Sequence, residues 1–285
     1  MPASAAFIQP QSLAQAIDYL GRYGEEARIV AGATAVTIML RQRLIRPAAL
    51  ISINGLPGLN TIQTVDGHLY IGALVRHREV ELSPVVRAAL PVLARAFGVV
   101  ANVRIRNAAT VGGVLAEADY ASDPPAVFLM LDASVEASGA NGARYIPMRD
   151  FAVGFYETAL APDEVITGVR VPIPADGTRA VYEKYVTRSQ EDRPCVGVAA
   201  AARVSRDGLC EELRVAVGAA AEVPQRFPDI EAMASGRKVD QDVAAAVAEA
   251  YAARIDTLSD LRGSAWYRTE MIRVWVRRSI QQVMA

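Results

Sequence analysis

Two cysteines and two histidines in 285 residues leave little from which to build a metal centre. Cys195 and Cys210 stand fifteen positions apart with no neighbouring cysteine, so the chain cannot supply the four thiolates of an iron–sulfur cluster. His68 and His77 are nine residues apart without a cysteine or carboxylate at ligand spacing, which argues against a zinc-type site. Charge of one sign is also missing. Thirty Lys and Arg against 31 Asp and Glu give a formal net charge of −1, whereas nucleic-acid binding needs an electropositive face. No apolar run approaches the ~20 residues of a membrane span, and the opening MPASAAFIQP lacks the basic segment and hydrophobic core of a secretory signal. A cytoplasmic location is therefore expected. No Ser/His/Asp set or pair of catalytic carboxylates stands out, and the fingerprint G-x-G-x-x-G is absent.

What is present is apolar residue in quantity, 52% of the chain, enough to bury two or three compact units. Ser12 followed by LAQAIDYLGRYG predicts a short amphipathic helix with a serine N-cap. A brief strand at Ala27 leads into Gly32-Ala-Thr-Ala and a second helical run that stops before Pro47. Such a strand, small-residue turn and helix can present backbone N–H groups to a pyrophosphate, and it can equally be an ordinary turn. A Val-Asp-Gly-His turn between TIQTV and LYIGAL predicts a hairpin, with His68 near its tip. Helical spacing recurs from Leu82 to Phe97, with Pro84 in the first turn. Thr-Val-Gly-Gly follows at 110–113, where two missing Cβ atoms would permit φ > 0 and a close approach of N–H groups to a ligand. A structural turn remains the alternative there as well.

Beyond Asp123, VFLMLDASVEAS predicts a helix running into a strand, and Pro172 and Pro174 mark a boundary. VYEKYVTRS, CVGVAAAARVS and CEELRVAVGA then predict three antiparallel strands. Helices follow at about Val239–Ala253 and Trp266–Met284, the latter with Tyr267, Met271, Val274 and Ile280 as a buried stripe. The expected class is α+β. Residues 1–175 would form one domain of two α/β subdomains, about 1–57 and 58–175, and residues 178–285 a C-terminal domain with a three-stranded antiparallel sheet and helices.

The run from Asn107 to Leu131, NAATVGGVLAEADYASDPPAVFLML, resembles the FAD-binding medium subunit of the molybdenum hydroxylases, the xanthine dehydrogenase and carbon monoxide dehydrogenase group. Tyr120 stands where that family usually has proline, and Val114 replaces a small polar residue. VAGATAVTIMLRQRLIRPAALISI is similar to the family's first FAD loop, with Ala33 at its second glycine position and an expected φ < 0. Tyr182-Glu-Lys184, Val196-Gly-Val-Ala199 and DLRGSAWYR at 260–268 extend the resemblance over nearly the whole chain. The cysteine-rich insert of the branch that reduces an aromatic acyl-CoA is missing.

The resemblance implies that Ala31, Gly32, Ala33, Thr34 and Ala35 approach the FAD pyrophosphate, and that Thr110, Gly112, Gly113 and Val114 wrap the dinucleotide. It gives Asp123 a hydrogen bond to the cofactor, with a helix cap as the alternative. Ile166 would be an apolar contact and Lys184 a positive charge near the isoalloxazine, with core and solvated-strand roles as their alternatives. Glu117 sits where relatives often have His or Thr. Neither loop holds a His or Cys for a flavin linkage, so FAD would be non-covalent. The implied function is an electron-transfer subunit of a heteromeric enzyme, with molybdopterin on a large partner and [2Fe–2S] clusters on a small one, as a dimer of heterotrimers. A non-catalytic flavin- or nucleotide-binding maturation module and a self-contained flavin oxidase are the alternatives. Gln190–Pro194 reads QEDRP where many members have Gly-Asp-aromatic, which leaves the external acceptor open, and the substrate is chosen on another chain.

Overall fold

The computed structural model describes residues 5–285. Strands and helices alternate first: β1 (Ala6–Ile8), α1 (Leu13–Tyr23), β2 (Ala27–Val30), α2 (Thr34–Arg41) and β3 (Ala49–Ser52), with the strands parallel in the order β1-β3-β2. Ser12 caps α1 by accepting from the Gln15 N–H at 3.2 Å. Ala16 and Leu20 of α1 pack with Ala27, Ile51, Ile53 and Leu56 in a small core. α2 adds nothing to it, since none of its eight residues is buried.

The middle of the chain begins with the expected hairpin, β4 (Ile62–Val65) and β5 (His68–Gly72), turned at Asp66 and Gly67, both at positive φ. The helix expected over Leu82–Phe97 is instead α3 (His77–Leu82), α4 (Pro84–Ala89) and α5 (Pro91–Gly98). Pro84 starts its helix as expected. Pro91, however, pushes Leu90 out of the helical region to φ −143°, ψ 69°, and so breaks the run. Next come α6 (Val103–Ala108), α7 (Val111–Glu117) and α8 (Pro124–Met130), which runs into β6 (Ser134–Gly139). β7 (Gly142–Pro147), α9 (Met148–Phe151) and the small hairpin β8 (Ala152–Gly154) and β9 (Glu157–Thr158) lead to β10 (Val165–Pro172). β10 inserts between β5 and β6 to give a five-stranded antiparallel sheet, β4-β5-β10-β6-β7.

The three strands expected beyond residue 178 are β11 (Arg179–Tyr185), β12 (Val196–Val204) and β13 (Cys210–Gly218), and β14 (Gln225–Arg226) adds a fourth on the β13 edge. α10 (Pro228–Glu231), α11 (Gln241–Arg254) and α12 (Ala265–Met284) follow. The buried apolar stripe of α12 is Ile272, Val276, Ile280 and Val283, which shares only Ile280 with the expected one. Tyr267, Met271 and Val274 are only half-buried. The helix is rotated by Arg268, which is fully buried and donates to the Cys195 and Ala219 carbonyls.

β12 is covered on both faces. Ala199 and Ala201 join the core of the middle unit, while Val196, Val198, Ala200 and Ala202 join that of α11 and α12. Its unbroken apolar run, VGVAAAARV, is the pattern of a strand with no solvent face. Short alanine side chains let both layers close on it, and the joint so formed carries Lys184 on β11 towards Asp123 at the head of α8.

Candidate functional site

Ala31–Ala35 link β2 to α2. Gly32 lies so close to the end of α6 that a Cβ there would overlap the Ala108 carbonyl oxygen and come within 2.9 Å of the Ala109 Cα, so only glycine fits. Ala33 does not keep φ < 0. It stands at φ 56°, ψ 8°, because the chain must swing from the pinned Gly32 into α2 in a single residue. For an alanine that conformation costs about 1–2 kcal/mol. Among the described residues no side chain caps α2. Its first-turn N–H groups therefore lack both an intrahelical partner and a cap, an arrangement suited to an anion.

The second segment is built differently. Thr110 caps α7 by accepting from the Gly113 N–H at 3.0 Å. Gly112 and Gly113 lie within the helix and outside the positive-φ set, so the φ > 0 that glycine permits is not used here. Glycine is needed for space: a Cβ at Gly112 would lie 2.7 Å from the Ala73 Cβ, and one at Gly113 would lie 2.8 Å from the Thr110 hydroxyl. The N–H of Gly112 goes to the Ala73 carbonyl (2.8 Å) and that of Val111 to the Val75 carbonyl (3.0 Å), so these donors serve the protein. Val114 is buried behind them.

Two residues that no sequence pattern singled out join the segments. Arg76 donates to the Ala108 carbonyl and, at 3.1 Å, to Asn54 Oδ1, while Asn54 Nδ2 donates to the Ala31 carbonyl at 2.8 Å. His77 holds the second segment through its backbone N–H to the Ala109 carbonyl (3.0 Å) and its ring Nε2 to the Thr110 carbonyl (3.2 Å). Burial lowers its pKa to about 4, with Arg106 adding to the shift and the Thr110 bond opposing it. The neutral ring thus donates from Nε2, and Nδ1 has no partner among the described residues.

Asp123 stands at the start of α8 without making a cap hydrogen bond, so the capping alternative is excluded. Its Oδ1 accepts from the Tyr182 hydroxyl at 2.8 Å and its Oδ2 from Lys184 Nζ at 3.1 Å. Lys184 also donates to the Val99 carbonyl at 2.8 Å. Each side chain of the ion pair is 4% exposed, which excludes a solvated strand lysine. Burial raises Asp123 to about 6, with Lys184 and Tyr182 pulling it back. Glu117 sits beside Asp119, whose Oδ2 is 2.5 Å from Arg193 Nε, and 3.7 Å from Arg193 Nη2. Burial and then Asp119 push Glu117 above its ordinary value, against the pull of Arg193. Ile166 is buried in the middle core at a bulge of β10. Its neighbour Thr167 accepts from the Ala73 N–H (2.9 Å), which places this part of β10 directly behind Gly112.

The expected residues thus fall into linked groups: Ala31–Ala35 against the chain that enters Thr110–Val114, the Asp123–Lys184 pair, and Glu117 with Arg193. The uncapped start of α2 suits an anion such as a pyrophosphate. Among the described residues no group of three or more His, Cys, Asp or Glu could hold a metal ion. No helix among them is long and apolar enough to cross a membrane.

Comparison with known proteins shows the family of the chain. Residues 3–174 match the FAD binding domain in molybdopterin dehydrogenase, and residues 181–283 match the CO dehydrogenase flavoprotein C-terminal domain. The nicotine 6-hydroxylase medium subunit of Paenarthrobacter nicotinovorans is 34% identical, over 98% of this chain and 97% of its own length. The carbon monoxide dehydrogenase medium chain of Hydrogenophaga pseudoflava is 32% identical, over 100% of this chain and 99% of its own. The solved carbon monoxide dehydrogenase from Hydrogenophaga pseudoflava superposes with a TM-score of 0.95 at 33% identity, over 99% of this chain and 98% of that one. Quinoline 2-oxidoreductase from Pseudomonas putida 86 gives 0.93 at 29% identity, over 99% and 97%. With its paired glycine segments and matches spanning both halves, this chain belongs to the family of FAD-binding oxidoreductase subunits of the molybdopterin dehydrogenases, the xanthine and carbon monoxide dehydrogenase flavoproteins.

Proposed function

We propose that this chain is the electron-transfer subunit of a heteromeric molybdenum hydroxylase, carrying electrons from [2Fe–2S] clusters on a partner to an external acceptor. The observation that carries the reading is the contact of Gly32 with Ala108–Ala109, which packs the two glycine segments against each other. Bound non-covalently, FAD supplies the redox chemistry. The chain's own residues bind and orient it. Backbone N–H groups of Ala33, Thr34 and Ala35 at the start of α2 would hold the pyrophosphate, with Ala31 and Gly32 setting the approach. Thr110, Gly112, Gly113 and Val114 form the rigid wall along the dinucleotide. Asp123 fixes Lys184, whose positive charge would lie near the isoalloxazine, while Ile166 and Glu117 would give an apolar and a polar contact.

The relatives are named as medium subunits or medium chains. That supports a place between a small [2Fe–2S] subunit and a large molybdopterin subunit, assembled as a dimer of heterotrimers in the cytoplasm. Two buried free cysteines are consistent with clusters held elsewhere. We divide the chain into a flavin domain, 1–175, and a C-terminal domain, 178–285, that closes on it through β11–β13. Purified with its neighbours, the protein should release its yellow colour to the supernatant on acid precipitation and co-purify with a cysteine-rich and a molybdopterin protein. Flavin retained in the pellet would overturn the non-covalent site. Substrate-dependent dye reduction by this chain alone would overturn the division of labour.

A further inference from the structure

Tyr120 stands where the family usually has proline, and it makes side-chain contacts that a proline could not. The Tyr120 hydroxyl donates to Asp260 Oδ2 at 2.7 Å and accepts from Arg262 Nη2 at 2.8 Å. The Arg262 guanidinium lies 5.5 Å from the Tyr120 ring centroid, and Phe155 packs edge-on at 5.2 Å. The backbone closes the same joint, since the Ala219 N–H donates to the Tyr120 carbonyl at 3.1 Å.

The far side of this joint is rigid. Asp260 accepts from the Arg262 N–H at 2.7 Å and pairs with Arg268, whose guanidinium also holds the Ala219 and Cys195 carbonyls. Arg268 is fully buried, so Asp260 and Ala219 are fixed by one cation in the core. Tyr120 binds to both. It stands between Asp119, paired with Arg193, and Asp123, paired with Lys184. Tyr120 is the point of this stretch where the hydroxyl and the backbone both bridge to the C-terminal half.

We propose that Tyr120 is a positioning residue of the cofactor site. Its hydroxyl ties the segment that follows α7 to the Asp260–Arg268 core, and thereby sets the spacing between Thr110–Val114 and the Asp123–Lys184 pair. This rests on the reading of those residues as the flavin site. The tyrosine assigns a purpose to the DLRG run as well: it is the anchor for a loop 140 residues upstream.

The test is Tyr120→Phe in the full chain, titrated with FAD and followed by flavin fluorescence, alongside melting of the apoprotein. The variant removes a hydrogen bond to a charged group, and we expect the FAD Kd to rise about tenfold, equal to about 1.4 kcal/mol. Arg262→Gln, which leaves the Tyr120–Asp260 bond in place, should raise it by less. Tyr251→Phe removes a tyrosine hydroxyl from the C-terminal core, where it donates to the Val215 carbonyl at 2.7 Å. That variant should lower the melting temperature and leave Kd unchanged. An unchanged Kd in folded Tyr120→Phe, or an equal rise in Tyr251→Phe, overturns the proposal. Should Tyr120→Phe not fold, an unchanged Kd in Arg262→Gln overturns it. Absence of FAD binding by the unaltered chain would instead overturn the site on which it rests.

Discussion

The two glycine segments do opposite things with the same residue. Gly32 is pressed against a neighbouring carbonyl, and the helix that follows it has no cap and no buried residue. Gly112 and Gly113 lie inside a helix that is capped by Thr110 and walled in by Ala73, with their N–H groups spent on protein acceptors. One segment leaves donors free, and the other gives up freedom to become a wall. A dinucleotide site needs both, since donors without a fixed wall lose binding energy to ordering.

The comparison breaks most visibly at Gly32. Gly32→Val would drive a branched side chain into Ala108, separating the segments. We expect loss of at least about 3 kcal/mol of stability and of measurable FAD binding, read by melting and by fluorescence titration. Wild-type affinity in a folded Gly32→Val protein would show that the contact is dispensable. Gly112→Ala should cost about 2 kcal/mol through overlap with Ala73. Because its N–H offers nothing to a ligand, FAD affinity at temperatures well below the melt should change less than threefold. A larger loss of affinity would make this segment a donor site after all.

Acid sharpens the contrast next. His77, which supports the wall, has a lowered pKa of about 4, so its contribution is present above the ordinary histidine value and is lost as pH falls through about 4. Asp123 has a raised value of about 6, so its ionisation weakens the fold as pH rises through that range. Between about pH 6 and 4 the two oppose each other. His77→Gln should flatten the acid loss of melting temperature by an amount equal to about 2 kcal/mol, and Asp123→Asn should steepen it. Identical pH profiles in all three proteins would contradict both assignments. The smallest effect is expected at Ala33→Gly, which relieves the left-handed backbone but adds unfolded-chain entropy. A net gain below about 1 kcal/mol should show in the melt, with FAD affinity retained.

Much of this was legible locally. The Ser12 cap, the hairpin at Asp66-Gly67, the strand order of β11–β13 and the two glycine segments all follow from residue type and spacing. Long-range geometry was not. Nothing around Val165–Pro172 reveals that β10 closes the middle sheet by inserting between β5 and β6, because the partners lie far apart in sequence. Ala33 was misread because alanine ordinarily avoids φ > 0, and the pinning of Gly32 by a distant carbonyl overrides that preference. The α12 stripe slipped because a buried arginine, which pattern reading assigns to solvent, sets its rotation. Arg76 and Asn54 carry no motif, since their task is to hold backbone carbonyls that only the fold brings near.

The alanine-rich β12 bears on how the chain is made. Its two faces belong to different cores, one supplied mostly by residues synthesised before it and the other by α11 and α12, which are synthesised later. While a nascent chain lacks those helices, one side of the strand has only the flavin domain to lean on and the other, with Val196 and Val198, is bare. Domains fold as units during synthesis, and uncovered apolar strands are where aggregation begins. Alanine limits that exposure: a strand of leucines would present a far stickier surface to the ribosome's surroundings until α11 and α12 have emerged.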